Sequence, residues 1–175
     1  MPQNDTSSQF GKFFIWIAWL LALGLLAFVF QDLLETQNNP NERPQYSLNK
    51  QGLAEVILKQ NRHGHYVTTG TINEQKVTFL LDTGATEVSI PQRLAQQLNL
   101  SSYGRYQVTT ANGKVTVQQT RIDELSIGNI FLYNIRANIN PGMHGDEILL
   151  GMSALKKLEF QQTGKRLILR EQHAF

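Results

Sequence analysis

The chain has no cysteine among its 175 residues, which excludes disulfide frameworks, thiolate nucleophiles and cysteine-based zinc sites together. Its stability must come from packing. A strong charge of either sign is also missing: 16 Lys and Arg stand against 14 Asp and Glu, a formal net charge of +2. So weak a field gives no reason to expect nucleic acid as a partner. Internal repeats and low-complexity segments are absent after residue 50, and the triplet Asp-Thr-Gly occurs once. Histidines are few. His63 and His65 form His-Gly-His and His144 precedes Asp146 and Glu147, but the helical i, i+4 ligand spacing is lacking, so these read as solvated loop residues. Neither a metal nor a cofactor is expected. The length leaves room for one modest domain plus accessory segments, since single domains usually run to roughly 100–150 residues.

One long apolar run is present. From Phe13 to Phe30 the sequence reads FFIWIAWLLALGLLAFVF, without charge or proline, which at about 1.5 Å per residue is roughly 27 Å of helix. A cleaved signal peptide would have a shorter apolar run ending in a small-x-small site, whereas this run ends Ala27-Phe28-Val29-Phe30-Gln31. A buried core helix would show a polar face, and this run is apolar all round, with Trp16 and Trp19 near one end as interfacial anchors. The expected organisation is a tail over 1–12, a transmembrane signal anchor over 13–30, a linker over 31–50 and one domain over 51–175. Lys12 precedes the span and Asp32 and Glu35 follow it, which by the positive-inside tendency places the domain outside the cytoplasm. In a bacterium that means the inner membrane, with the domain in the periplasm. The linker QDLLETQNNPNERPQYSLNK is polar, carries Pro40 and Pro44, and has no sustained periodicity.

After the linker, period-two alternation and short apolar runs recur between turn signals, which predicts a mostly antiparallel all-β domain. His65–Ile72 and Lys76–Leu81 flank a turn at Asn73-Glu74-Gln75. Tyr106–Ala111 and Lys114–Ile122 flank Asn112-Gly113, and Leu125–Ile127 and Phe131–Ile139 flank Gly128-Asn129. Leu167–Leu169 follows a turn at Thr163-Gly164. Two short amphipathic helices are expected, one opening at Pro91 through RLAQQLNL and one in MSALKKLEF after Gly151.

The segment with most chemical information is VTFLLDTGATEVSIP, Val77 to Pro91. An apolar strand delivers Asp82 to its end, although aspartate is disfavoured in strands and costly to bury. Gly84 allows a turn where a β-carbon would clash, Thr83 offers a hydroxyl for a buried hydrogen bond, and Ala85 keeps the surroundings small. An Asx-type turn between two strands is the plain reading of the triplet alone, which arises by chance in on the order of 3% of chains this size. Its setting, an apolar strand before and a strand and helix after, is more specific.

In that setting the segment resembles the active-site loop of the retropepsin-like aspartic peptidases, whose motif is apolar-apolar-Asp-Thr/Ser-Gly-Ala. The hairpin Thr109–Val117 falls where that family places its flap, and Ile148–Gly151 followed by a helix resembles its second apolar-apolar-Gly element. The resemblance covers about residues 51–175 and, with the anchor, is closest to bacterial membrane-bound members. It implies a retropepsin-like acid-protease fold, a protein or peptide substrate, Asp82 as the catalytic residue and Thr83, Gly84 and Ala85 as the active-site loop. Ala111, Asn112 and Gly113 would form the substrate-binding flap. One aspartate loop per chain implies a homodimer with two Asp82 carboxylates at its two-fold axis. The chain departs from viral members at Met152, where they carry Arg or Asn, and in a flap tip with less glycine. Arg166–Arg170, RLILR, is either part of the dimer interface or an ordinary edge strand blunted by its arginines. The same residues leave open a catalytically silent, membrane-tethered β domain that binds peptides.

Overall fold

The computed structural model describes residues 6–49, 51–110 and 113–172. The chain divides into two units, Met1–Gln37 and Asn38–Phe175. The first is carried by helix α1, Thr6–Asn38. Within α1, the 20 residues Gly11–Phe30 are long and apolar enough to cross a membrane, about 30 Å of helix. Their side chains are exposed, Trp16 and Trp19 included.

The second unit is a β structure with two short helices. Its larger sheet has the order β3 (Val67–Ile72), β4 (Gln75–Leu81), β9 (Glu147–Leu150), β5 (Val88–Pro91), β8 (Ile130–Asn140), β7 (Gly113–Ile127), β6 (Gly104–Thr110). The long β7 also reaches back to β3, pairing Thr71 with Ser126 and Ile72 with Leu125. A four-stranded antiparallel sheet has the order β1 (Gln45–Leu48), β2 (Ala54–Lys59), β11 (Arg166–Glu171), β10 (Leu158–Thr163). Alternation produces the core: Val77 and Phe79 of β4 are buried, as are Ile148 and Leu150 of β9, Leu125 and Ile127 of β7, and Ile135 and Ala137 of β8. Each large apolar side chain so buried contributes roughly 1.5–3 kcal/mol.

Two parallel pairings position the site. β4 pairs with β9 from Thr78–Glu147 to Leu81–Leu150, and β5 pairs with β8 from Val88–Ala137 to Pro91–Asn140. β9 therefore lies between β4 and β5, touching β5 at Ser89–Leu149. The loop from Asp82 to Glu87 has to bridge over β9, so it is held by tertiary contacts and not by a hairpin.

The hairpins fall near their expected places. Asn73 and Glu74 both have positive φ, 47° and 67°, as a two-residue turn of primed type requires, and Gln75 already pairs with Ile72. In the second hairpin Thr110 pairs with Gly113, so the connecting residues are Ala111 and Asn112, one position earlier than expected; both lie outside the described residues. The helix at Pro91, α2, is shorter than expected, Gln92–Gln97, because Asn99 turns left-handed at φ 53°.

Other segments differ more. Helix α3 is only Met152–Leu155, and LEF begins β10 instead of ending a helix, because Leu158 is buried and pairs with Glu171. As a result Arg166–Arg170 is paired on both sides, by β10 and β2. It is no edge strand, and its backbone is not free to pair with a second chain. β2 was not expected at all, although Ala54, Val56 and Leu58 alternate inward. The segment expected to be a spacer continues as helix to Asn38 and then carries β1. Asn41 is 3% exposed. Its side chain donates to the carbonyls of Lys59 and Val67 at 2.8 and 2.7 Å and accepts the N–H of Lys59 at 2.7 Å, stitching β2 to β3.

Candidate active site

β4 lies between β3 and β9 in the larger sheet, and Asp82 is the residue that follows its last position, Leu81. The Leu81 N–H donates to the carbonyl of Tyr66 at 3.0 Å, and that of Asp82 donates to the carbonyl of Leu150 at 3.2 Å. The chain then turns. Asp82 Oδ1 accepts the N–H of Gly84 at 2.8 Å, and the Asp82 carbonyl accepts the N–H of Ala85 at 3.3 Å. This is the aspartate-centred turn that the triplet favours, with one carboxylate oxygen fixed by the backbone. A β-carbon on Gly84 would lie 3.1 Å from that oxygen, so glycine keeps the carboxylate uncrowded. Asp82 and Ala85 are half-buried. Thr83 is exposed, and its hydroxyl makes no hydrogen bond to the described residues, in place of the buried bond expected from sequence.

The far side of the loop is clamped by α3. The N–H groups of Met152 and Ser153 donate to the carbonyls of Ala85 and Thr86 at 2.8 and 3.0 Å. Ser153 Oγ accepts the N–H of Val88 at 3.0 Å and donates to the carbonyl of Arg136 at 2.7 Å, joining the loop to β8. The segment Ile148–Gly151 and the helix after it thus meet the Asp82 loop.

A cleft of about 800 Å³ opens above this floor. Asp82, Gly84 and Ala85 form one part of its lining, and Val108, Thr109 and Thr110 of β6 form another. The hairpin β6–β7 therefore brings its first strand to the cleft. Gly113, whose φ is 109°, is exposed and lies outside the lining. His63, His65 and His144 are exposed and belong to other loops. Among the described residues no three His, Cys, Asp or Glu side chains are grouped so as to hold a metal ion.

A polar wall was missed from sequence. Glu87 Oε2 accepts the hydroxyl of Tyr106 at 2.5 Å, and Glu87 Oε1 lies 3.9 Å from Arg136 Nε. Burial, followed by the hydrogen bond and the negative charge of Glu87, pushes the Tyr106 phenol up to about 12, so it stays a donor. Ser89 donates to Asn138 Oδ1 at 2.6 Å, and both are buried. The available signal was Ser89 in VSIP, an uncharged polar residue inside a strand otherwise apolar.

The comparisons with known proteins agree with this architecture. Residues 68–157 match the family model described as "gag-polyprotein putative aspartyl protease". The chain belongs to the retropepsin-like aspartic protease family. An uncharacterised protein from the cobV 5′ region of a Sinorhizobium species is 32% identical over 158 residues, covering 85% of this chain and 67% of that protein. An uncharacterised protein of Rickettsia prowazekii strain Madrid E is 30% identical over 121 residues, covering 67% of this chain and 51% of that one. The chain thus spans two thirds and half of these relatives' lengths. The crystal structure of a retropepsin-like aspartic protease from Rickettsia conorii matches with a TM-score of 0.56 at 25% identity, over 73% of this chain and 95% of that one.

Proposed function

We propose that the protein is a membrane-anchored aspartic endopeptidase that works as a homodimer, each protomer supplying Asp82. The observation that carries this reading is the half-buried Asp82 carboxylate, fixed through Oδ1 on a family-matched loop at the floor of a cleft with room for a peptide. Hydrolysis by this chemistry needs two carboxylates a few ångströms apart that share one proton, because two like charges so close cannot both ionise. One Asp-Thr-Gly per chain means that the second carboxylate comes from a partner. The ionised member removes a proton from a bound water, which attacks the scissile carbonyl. The protonated member hydrogen-bonds the carbonyl oxygen and stabilises the tetrahedral intermediate.

Other features take their roles from this centre. Thr83, exposed and without a hydrogen-bond partner among the described residues, would hydrogen-bond across the two-fold axis. Gly84 and Ala85 would present backbone to an extended substrate, and Ala111, Asn112 and Gly113 would close over it. Gly11–Phe30 would hold the protein in a bacterial inner membrane, with Lys12 on the cytoplasmic side and the β unit in the periplasm.

The test is cleavage of a diverse peptide library by the full-length protein in detergent across pH 4–7, with Asp82→Asn alongside. The substitution should abolish cleavage. Mixing it into the wild type should lower the rate more than dilution does, because mixed dimers hold a single aspartate. A folded, dimeric wild type that cleaves nothing would instead mark a tethered peptide-binding module.

A further inference from the structure

We infer that Glu87 is the anionic half of a subsite that selects a basic side chain, lysine or arginine, in the peptide held by this cleft; the inference rests on the peptidase reading above. Charge makes the first argument. Among the described residues the lining contains two carboxylates, Asp82 and Glu87, and no Lys, Arg or His. Asp82 belongs to a pair that shares a proton, so Glu87 is the charge left for recognition.

Geometry makes the second. The Glu87 side chain is only 17% exposed, so its charge is poorly solvated and gains from a cationic partner. Tyr106 satisfies Oε2 and fixes the carboxylate's orientation. At 3.9 Å, Arg136 is too far from Oε1 for a direct hydrogen bond, and its side chain is 57% exposed. So loose and exposed a pair is worth little, and a substrate cation entering from the cleft can take its place. Beside Glu87 the lining continues with Ser89, Asn138 and Asn140, uncharged groups that can receive the remaining N–H donors of a guanidinium or ammonium.

Symmetry makes the third. In a homodimer the wall occurs twice, once on each side of the two-fold axis through the Asp82 pair. Glu87 is separated from Asp82 by Thr83 to Thr86, so its subsite is displaced from the scissile bond. Preferred substrates therefore carry basic residues flanking the cleaved bond on both sides.

The experiment uses full-length protein and fluorogenic peptides in which each position around the cleaved bond is lysine or its uncharged isostere norleucine. For wild type the kcat/KM ratio of lysine to norleucine should exceed about tenfold at the flanking positions. Glu87→Gln should bring that ratio close to one, and Arg136→Gln, which removes the competing cation, should raise it. A wild-type ratio near one, or an equal loss on both peptides in Glu87→Gln, overturns the inference. Fluorescence anisotropy with Asp82→Asn and its Glu87→Gln double variant reads the subsite without cleavage. If wild type cleaves nothing, tighter Glu87-dependent binding of the lysine peptides still supports the subsite while the peptidase reading falls. Equal binding of both peptides rejects the subsite.

Discussion

A β-carbon on Gly151 would lie 2.3 Å from the carbonyl oxygen of Glu87 and 2.7 Å from that of Ala85. Both obstacles are backbone of the loop that bridges β9, so no side-chain rotation relieves them. Gly151→Ala should therefore destabilise the β unit by roughly 3 kcal/mol or more, or prevent folding. Gly104→Ala, where a β-carbon would approach only the Gln119 side chain, at 3.4 Å or more, is the control and should shift the urea midpoint little.

Ser153 ties the same loop to β8 through one hydroxyl. Ser153→Ala would leave the buried Val88 N–H without its acceptor, at a cost of about 1–3 kcal/mol. Ser153→Thr retains a hydroxyl and should recover part of the loss, as measured by chemical denaturation.

Asn41 makes a similar prediction for the segment before the first strand. Asn41→Ala removes three hydrogen bonds to the backbone of Lys59 and Val67 and should lower stability by roughly 3 kcal/mol. A soluble fragment beginning at residue 38 should accordingly unfold at a higher urea concentration than one beginning at residue 45.

Tyr106 gives a pH signature. Its phenol titrates at about 12 in the folded protein against about 10 when unfolded, so the folded state binds the proton more tightly. The resulting stabilisation is complete below pH 10 and is lost as pH rises through about 12. Tyr106→Phe should remove this component. The stability difference between the two proteins, largest at pH 8, should shrink by pH 11 to 12 in denaturation curves.

What could be read in the sequence were features written within a short window. The apolar run ending at Phe30, the strand that delivers Asp82, the turns at Asn73-Glu74 and Gly128-Asn129, and the glycine of Ile148–Gly151 all depend on neighbours a few residues away. Periodicity and turn chemistry report such neighbours directly. β10 escaped because Leu158–Thr163, exposed beyond Leu158, is a strand by virtue of β11, which pairs with it, whereas β2 did carry a local signal in the alternation of Ala54, Val56 and Leu58. Asn41 looked like part of a polar spacer because its partners lie 18 and 26 residues further along the chain.

The sequence alone determined that an apolar helix precedes a β unit and that one carboxylate stands at the end of an apolar strand. Only the tertiary structure decided what faces that carboxylate. Placing β9 between β4 and β5 lifts the Asp82 loop over a third strand, and pairing β5 with β8 in parallel sets Ser89 against Asn138. Bringing β6 to the cleft sets Tyr106 against Glu87, 19 residues earlier. Parallel pairings and crossovers join residues far apart in the chain, and the buried hydrogen bonds that fix such neighbours leave no local pattern.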